Sequence, residues 1–287
     1  MRQIILIFAA FTISPALAAP ETPPAIYTDP VRDAAHPARM EVLRIPSGDA
    51  EINGVAYLAA GAGPHPTIII CHGLPGNEKN LDLAQAVRRA GWNAITFNYR
   101  GSWGSAGSFR FAQNPQDAAA VLAYIRIPAN ARMLGIDTTR LVLGGHSMGG
   151  WVAALASGGD SELAGTILIS AANLGARGHL PRADLVKIMN GNRESLAGTS
   201  AEIMADEIIA NADTFNFVSR ATPLSRAPLL VLSSDDGNAP MTDALVADVR
   251  KAGGKRVTLV HVGTDHSWSD SRIRLQAEVI NWLIGLK

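Results

Sequence analysis

Short apolar runs alternate with segments of helical periodicity along most of this 287-residue chain. Runs rich in Ile, Val and Leu have the composition of strands that are buried on both faces of a sheet. Six such runs cover Thr67–Cys71, Asn93–Tyr99, Arg140–Gly144, Thr166–Ser170, Leu229–Ser233 and Arg256–Val262. Segments with helical spacing cover Leu81–Ala90, Asn114–Ile127, Met148–Ser157, Met241–Ala252 and Ser271–Leu286. The alternation predicts an α/β fold in which helices cover both faces of a mostly parallel sheet.

Two further apolar segments, Arg39–Ile45 and Asn53–Leu58, precede these runs and are separated by turn-forming residues. They predict an antiparallel pair that brings the sheet to eight strands. One domain over residues 39–287 is expected, because a chain of about 250–300 residues still forms a single core. Between 173 and 226 there is no convincing buried strand, but there are amphipathic stretches at 183–189 and 201–212. Long connections without structure are uncommon, so this interval is predicted to be a small helical insertion placed like a lid.

The first 18 residues have the pattern of a targeting segment. Arg2 precedes the apolar run Ile4–Ile13, and Ala16-Leu17-Ala18 supplies the small residues of a cleavage site. We therefore predict a signal peptide that is cleaved after Ala18, followed by a proline-rich leader at 19–38. The run is shorter than the roughly 20 residues of a membrane-spanning helix. An exported protein, periplasmic or secreted and without a stable membrane anchor, is expected; an uncleaved anchor is the alternative.

Charge and cysteine content exclude several classes of partner. The 25 basic and 25 acidic residues balance, so the sequence predicts no binding to nucleic acid or to an anionic membrane. Cys71 is the only cysteine and lies within an apolar strand, which predicts a buried, inert thiol. No group of His, Cys, Asp and Glu has metal-ligand spacing, so no metal or other cofactor is inferred. The oligomeric state stays open, and small molecules are the expected partners.

The segment Gly145-His146-Ser147-Met148-Gly149 joins a predicted strand to a predicted helix. In that setting G-x-S-x-G is typical of a nucleophile elbow, a tight turn that exposes the serine hydroxyl. Glycines two positions either side of the serine remove side chains that would collide in the turn. Ser147 is therefore the candidate nucleophile. His146 adjoins it, and we expect its side chain to diverge from that of Ser147 and to line the pocket.

A serine hydroxyl needs a base to take its proton and an acid to orient that base. His266 follows the last predicted strand and precedes the final helix, which makes it the candidate base. Asp235 and Asp236 follow the preceding predicted strand, and either could supply the acid. The order Ser, Asp, His along the chain is that of a hydrolase triad. Only one of the two aspartates is expected to face His266, because the side chains of adjacent residues in an extended segment point to opposite sides.

From about Arg39 to its C-terminus the chain resembles the α/β-hydrolase family. The segment Asp236-Gly237-Asn238-Ala239-Pro240 is similar to the family's D-x-x-V-P loop, and this resemblance implies that Asp236 is the acid. The segment His72-Gly73-Leu74-Pro75 resembles the family's H-G-x-P loop, and it implies that the backbone N–H groups of Leu74 and Met148 form the oxyanion hole. The loop at 100–107 is similar to the R-G-x-G-x-S-x-G loop of many esterases. We expect its arginine to pair with a carboxylate and Trp103 to line the pocket.

The resemblance implies a serine hydrolase that works through an acyl-enzyme intermediate. A carboxylic ester hydrolase acting on small or medium uncharged acyl substrates is the first expectation. The alternative is a serine peptidase of the aminopeptidase or oligopeptidase type, with a short peptide as substrate. Such an aminopeptidase needs a carboxylate in the insertion, where the candidates are Asp184, Glu194, Glu202, Asp206 and Glu207. A third expectation, a non-catalytic binding protein on the same fold, predicts that a triad position is lost, and none is.

Overall fold

The computed structural model describes residues 19–286. The predicted signal peptide lies outside this range and stays a prediction. One eight-stranded sheet forms the centre of the molecule, in the order β1-β2-β4-β3-β5-β6-β7-β8. Its strands are β1 (Arg39–Ser47), β2 (Ala50–Leu58), β3 (His65–Cys71), β4 (Asn93–Phe97), β5 (Ile136–His146), β6 (Gly165–Ile169), β7 (Leu229–Ser234) and β8 (Val257–Val262).

The sheet is antiparallel only at its first edge. Strands β1 and β2 form a hairpin that closes at the pair Ser47 and Ala50, and β2 also runs antiparallel to β4. All the remaining pairs, from β4 through β3 and β5 to β8, are parallel. The predicted α/β fold with an eight-stranded, mostly parallel sheet is confirmed. Strand β8 differs from the expectation of burial on both faces: it is an edge strand, and Val260 is its one buried residue.

Helices cover both faces of the sheet. They are α1 (Leu81–Arg89), α2 (Asn114–Arg126), α3 (Pro128–Leu134), α4 (Met148–Ser157), α5 (Leu174–Arg177), α6 (Arg182–Asn190), α7 (Ala201–Ala210), α8 (Ala221–Leu224), α9 (Ala239–Lys251) and α10 (Arg272–Gly285). Side chains of α1 and α10 pack on one face, where Val87 and Val279 are fully buried. Side chains of α2, α4 and α9 pack on the other face around Trp151. The sheet therefore separates two apolar cores, and its strand ends remain available for a site.

Four of the helices, α5 to α8, lie between β6 and β7 in the interval predicted to be an insertion. The segment between α6 and α7 is attached to the loop after β4 by backbone hydrogen bonds. Trp103 N–H donates to Ser195 O at 3.1 Å, and Ala197 N–H donates to Gly101 O at 2.7 Å. These bonds fix the middle of the insertion to a loop at the carboxyl end of the sheet.

The leader is also attached to the domain. Arg89 of α1 donates from Nε to Ala25 O at 2.5 Å, and Asn281 of α10 donates from Nδ2 to Glu21 O at 2.9 Å. Two helices on the same face of the sheet thus hold the leader. Over residues 19–286, no helix has both the length and the apolar character needed to cross a membrane.

Candidate active site

Ser147 lies at the sharp turn between the end of β5 and the start of α4. Its backbone φ of 59° is in the left-handed region, which residues other than glycine rarely adopt. A Cβ atom on Gly145 would lie 2.3 Å from Gly149 O, and a Cβ on Gly149 would lie 2.0 Å from Cys71 O. Neither position can hold a larger residue, because the backbones of β3, β5 and α4 meet here. Strain at the serine and close packing around it are the features of a nucleophile elbow.

The loop that follows β3 lies against the elbow. A Cβ atom on Gly73 would be 3.1 Å from Ser147 Cβ, so the backbone of this loop borders the serine directly. Leu74 follows Gly73, and its N–H makes no backbone hydrogen bond within residues 19–286. Met148 is the first residue of α4, where a backbone N–H has no partner in the helix. Two backbone donors next to Ser147 are thus available to an anion, and the helix dipole of α4 favours negative charge there.

Three side chains hold this loop in place. His72 is buried, and its Nδ1 donates to Gly73 O at 2.7 Å. Burial lowers the pKa of His72 to about 4, so this ring is neutral at physiological pH. Trp103 Nε1 and Ser195 Oγ both donate to Pro75 O, at 2.7 and 3.2 Å. Trp103 is 39% exposed, so its indole supports the loop and also presents a face to solvent.

His266 and Asp236 form the pair that a serine nucleophile requires. Asp236 Oδ2 lies 2.6 Å from His266 Nδ1, and because a carboxylate can only accept, Nδ1 carries the proton. The side chain of Asp236 is 3% exposed, whereas that of His266 is 40% exposed. Burial by itself would raise the pKa of Asp236. Hydrogen bonds from His266 and from Asn238 outweigh burial and hold the pKa at about 2. An ionised Asp236 fixes the tautomer in which His266 Nε2 is free to take a proton.

The neighbouring aspartate belongs to a different pair. Asp235 Oδ1 lies 2.9 Å from His261 Nε2, and the other nitrogen of that ring is 3.0 Å from Ser233 Oγ. The side chains of Asp235 and His261 are 68% and 49% exposed. These adjacent aspartates lie in the turn after β7 and not in an extended segment, and they face different histidines. In the structure, Asp236 faces His266.

His146, which the sequence suggests as a pocket-lining residue, is 3% exposed. Its ring packs beside that of His266, with a distance of 4.7 Å between ring centroids. No hydrogen bond joins Ser147 Oγ to the His266 ring in this structure. In ligand-free enzymes such bonds are often long and tighten when substrate binds.

The glycine-rich loop after β4 has the structural role that its sequence suggests. Arg100 Nε lies 2.6 Å from Asp117 Oδ1, and the backbone N–H of Arg100 donates to the other carboxylate oxygen at 2.9 Å. Both side chains are buried, with exposures of 7% and 0%. Ser47 Oγ also donates to Asp117. This ion pair fixes the loop to α2 and to the first hairpin, which is a structural role.

The five acidic residues of the insertion differ in their surroundings. Asp206 pairs with Arg182, and Glu207 accepts hydrogen bonds from the backbone N–H groups of Phe111 and Ala112. Asp184 and Glu202 are exposed in the first turns of α6 and α7. Glu194 accepts a hydrogen bond from Asn77 Nδ2 at 3.2 Å, and Asn77 directly follows the loop that borders Ser147. Glu194 is thus the carboxylate of this set that is tied to the loop beside the serine.

Sequence reasoning missed two features of the site. Arg177 of α5 is half-buried and close enough to Asp236 for the carboxylate to raise its pKa, although burial is the larger effect and lowers it. Beneath the site, Trp268 Nε1 donates to Ser170 Oγ at 3.0 Å, and Ser170 Oγ is 2.7 Å from Ser234 Oγ. The position of Trp268 two residues after His266 is the sequence signal that could have indicated its supporting role.

Cys71 matches its prediction as a structural residue. It is fully buried at the end of β3, and burial raises the pKa of its thiol to about 12. The thiol therefore stays protonated and does not act as a nucleophile. Among residues 19–286, no three His, Cys, Asp or Glu side chains are grouped so that they could hold a metal ion.

Fold and site together define an α/β hydrolase. A sequence model described as "Alpha/beta hydrolase family" matches residues 68–279, which is more than half of the chain. The chain belongs to this family. No curated protein sequence matches it.

Solved structures similar to this chain include esterases and peptidases. An esterase of Pyrobaculum calidifontis is 17% identical with a TM-score of 0.67, and the match covers 88% of each chain. An acylaminoacyl peptidase of Pyrococcus horikoshii is 17% identical with a TM-score of 0.66, covering 86% of this chain and 41% of that protein. Dipeptidyl peptidase 4 of Porphyromonas gingivalis is 15% identical with a TM-score of 0.64, covering 88% of this chain and 36% of that protein. At these identities the likeness is one of fold.

Proposed function

We propose that this protein is a serine hydrolase that cleaves carboxylic esters through an acyl-enzyme intermediate. Ser147 Oγ attacks the ester carbonyl carbon while His266 Nε2 takes the hydroxyl proton. The N–H groups of Leu74 and Met148 hold the oxygen that becomes negative, and His266 then gives its proton to the departing alcohol. Water then attacks the acyl carbonyl carbon while His266 takes one of its protons, and His266 returns that proton to Ser147 Oγ as the carboxylic acid leaves.

The observation that carries this proposal is the buried hydrogen bond between Asp236 and His266 at the elbow of Ser147. The side chain of Asp236 is 3% exposed, and burying an ionised carboxylate costs free energy unless it is paired and hydrogen-bonded. Here it stabilises the imidazolium that forms when His266 accepts the serine proton. Each backbone donor of an oxyanion hole contributes about 2.7–4 kcal/mol to stabilising the transition state. The proposed acid, the base and the two oxyanion donors thus all follow the carboxyl ends of strands of the same sheet.

The acyl group is proposed to be small or medium and uncharged. The surroundings of Asp206 and Glu207 support an ester substrate over a free peptide. These two carboxylates are already used by Arg182 and by backbone N–H groups, so they are not available to bind a substrate amine. The second candidate function is a serine peptidase that reads a free amino terminus. Glu194 favours it, because this exposed carboxylate is tied to the loop beside Ser147.

A substrate panel separates the two candidates. We expect p-nitrophenyl acetate and butyrate to be hydrolysed with a higher kcat/KM than p-nitroanilides of single amino acids, and Ser147→Ala to abolish both activities. Glu194→Gln should leave ester hydrolysis unchanged, with Asp184→Asn as a matched control on the insertion. Faster cleavage of the anilides, together with its selective loss in Glu194→Gln, would establish the peptidase instead.

We further propose that the protein is exported, since its first residues have the pattern of a signal peptide. Expression of the full chain in a bacterial host, followed by fractionation and intact-mass measurement, tests this. A periplasmic or secreted product that begins at Ala19 is expected. A cytoplasmic or membrane-bound product that keeps its first 18 residues would contradict it.

A further inference from the structure

His146 is a buried histidine that the proposed mechanism does not use. It ends β5, and its ring lies between two segments of the site. On one side, Nε2 is 2.7 Å from the backbone carbonyl oxygen of His266. On the other side, a Cβ atom on Gly73 would lie 3.7 Å from Nδ1, so this nitrogen faces the loop that borders Ser147. One side chain thus contacts the base and the oxyanion loop, and its backbone leads directly into the nucleophile.

The hydrogen bond fixes the protonation of the ring. A carbonyl oxygen can only accept, so Nε2 carries the proton and donates to His266 O. Nδ1 is buried and has no hydrogen-bond partner within residues 19–286. Burial is the main cause that lowers the pKa of His146 to about 4; the charge of the nearby His266 acts in the same direction, and Asp236 opposes it. The ring is therefore neutral when His266 becomes an imidazolium, and no second positive charge opposes that step.

We propose that His146 is a positioning residue that holds His266 at its working distance from Ser147. This inference rests on the proposed function. Because His146 is the residue before Ser147, its Nε2–H bond to His266 O joins the nucleophile and the base through one rigid connection. Among residues 19–286, the His266 ring has one side-chain hydrogen-bond partner, Asp236, which it contacts through Nδ1. The pair formed with Asp236 sets the direction of the ring, and the bond from His146 sets the position of its backbone.

Three variants test this role. His146→Phe keeps a ring and removes the donor, and we expect kcat on p-nitrophenyl butyrate to fall about 10- to 100-fold with little change in KM, as for a misplaced catalytic group. His146→Gln places an amide N–H near the position of Nε2, and we expect it to restore most of the lost kcat. His65→Phe is the matched control. His65 is hydrogen-bonded to the carbonyls of Gly91 and Gly61 at the opposite end of β3, so its loss should lower stability without lowering kcat.

A spectrum of the wild-type protein tests the inference without any variant. In a histidine-labelled ¹⁵N NMR experiment we expect one ring to be the Nε2–H tautomer, unchanged between pH 5.5 and 8, and to be absent from His146→Gln. Three results would overturn the role: a wild-type kcat in His146→Phe, equal losses of kcat in the Phe and Gln variants, or titration in this range of the ring signal that is absent from His146→Gln. Failure of the proposed function is distinguishable, because then Ser147→Ala would have the same activity as the wild type.

Discussion

Two aspartate–histidine pairs lie side by side at the carboxyl ends of β7 and β8, and they have opposite surroundings. Asp236 and His266 are 2.6 Å apart around a carboxylate that is 3% exposed. Asp235 and His261 are 2.9 Å apart, and both are largely exposed. Each pair consists of one carboxylate and one imidazole, so the two pairs have the same chemical groups. Burial and the neighbouring elbow of Ser147 therefore decide which pair can act as base and acid.

The contrast shows why a hydrogen bond between aspartate and histidine does not by itself indicate catalysis. An exposed ion pair is screened by water and contributes little. A buried carboxylate that accepts several hydrogen bonds stays ionised and directs one ring nitrogen of its partner. Of the two pairs, only the inner one, Asp236 and His266, has a buried carboxylate and lies at the elbow of Ser147. Activity and acid stability are therefore expected to follow this division.

Substitution of the histidines should give the largest difference. His266→Gln removes the base, and we expect kcat to fall by about 10⁶-fold, as when the histidine of a serine protease triad is removed. His261→Gln should keep kcat within about threefold of the wild type, because a screened surface pair contributes little. Steady-state hydrolysis of p-nitrophenyl butyrate measures both. Similar losses in the two variants would show that the exposed pair also takes part.

Substitution of the aspartates should give a smaller but parallel difference. Asp236→Asn keeps the shape of the side chain and stabilises the wrong tautomer of His266, so kcat should fall about 10⁴-fold. Asp235→Asn is the matched control on the adjacent residue, and it should retain near wild-type kcat. The reverse result, with loss in Asp235→Asn only, would assign the acid to the outer pair.

Acidification should destabilise the buried site in two separate ranges of pH. Burial lowers the pKa of His72 and of His146 from 6.5 to about 4. The unfolded chain therefore binds more protons between these values, and stability is full above pH 6.5 and lost as the pH falls towards 4. Each histidine contributes on the order of 3 kcal/mol to this loss.

The lowered pKa of Asp236 acts in the second range. Stability from this group is present above its ordinary pKa of 3.8 and is lost as the pH falls to about 2. Urea unfolding from pH 7 to pH 2 follows the loss of stability through both ranges. We expect a shallower pH dependence between 6.5 and 4 in His146→Gln, and no such change in a control variant of the exposed His179, His179→Gln. Equal slopes in the wild type and His146→Gln would contradict the burial argument.

The outer pair should have the smallest effect of all. We expect Asp235→Asn to change the free energy of unfolding by less than about 1 kcal/mol, because both partners are exposed. Asp117→Asn provides the buried contrast, since it leaves Arg100 without its partner and should cost about 3–5 kcal/mol. Chemical denaturation at pH 7 compares the two. A cost for Asp235→Asn as large as that for Asp117→Asn would contradict the division by burial.

Much of the fold could be predicted because apolar periodicity is a local property. Met148–Ser157 is both the predicted and the observed extent of α4, and β3, β6 and β7 differ from their predicted bounds by two residues or fewer. Helices α3, α5 and α8 were not predicted, because each has fewer than eight residues and too few turns to show a period.

The site could be predicted only in part. Motifs at Ser147, His266 and the loop of Leu74 mark the strand ends, so their approximate placement follows from topology. The choice between Asp235 and Asp236 depended on which histidine each one faces, and that is set by the packing of loops distant in sequence. The burial of His146 and the bond from Trp103 to Pro75 O are tertiary contacts of the same kind, with no local signal.

We infer that Ser147 is a nucleophile activated by the buried pair of Asp236 and His266. Labelling with a fluorophosphonate probe, followed by intact-mass and peptide mass spectrometry, tests it most directly. We predict one adduct at Ser147 in the wild type and in Asp235→Asn, none in Ser147→Ala, and strongly slowed labelling in Asp236→Asn and His266→Gln. A folded wild-type protein that takes no label at Ser147, or that is labelled as fast in Asp236→Asn as in the wild type, would contradict the account.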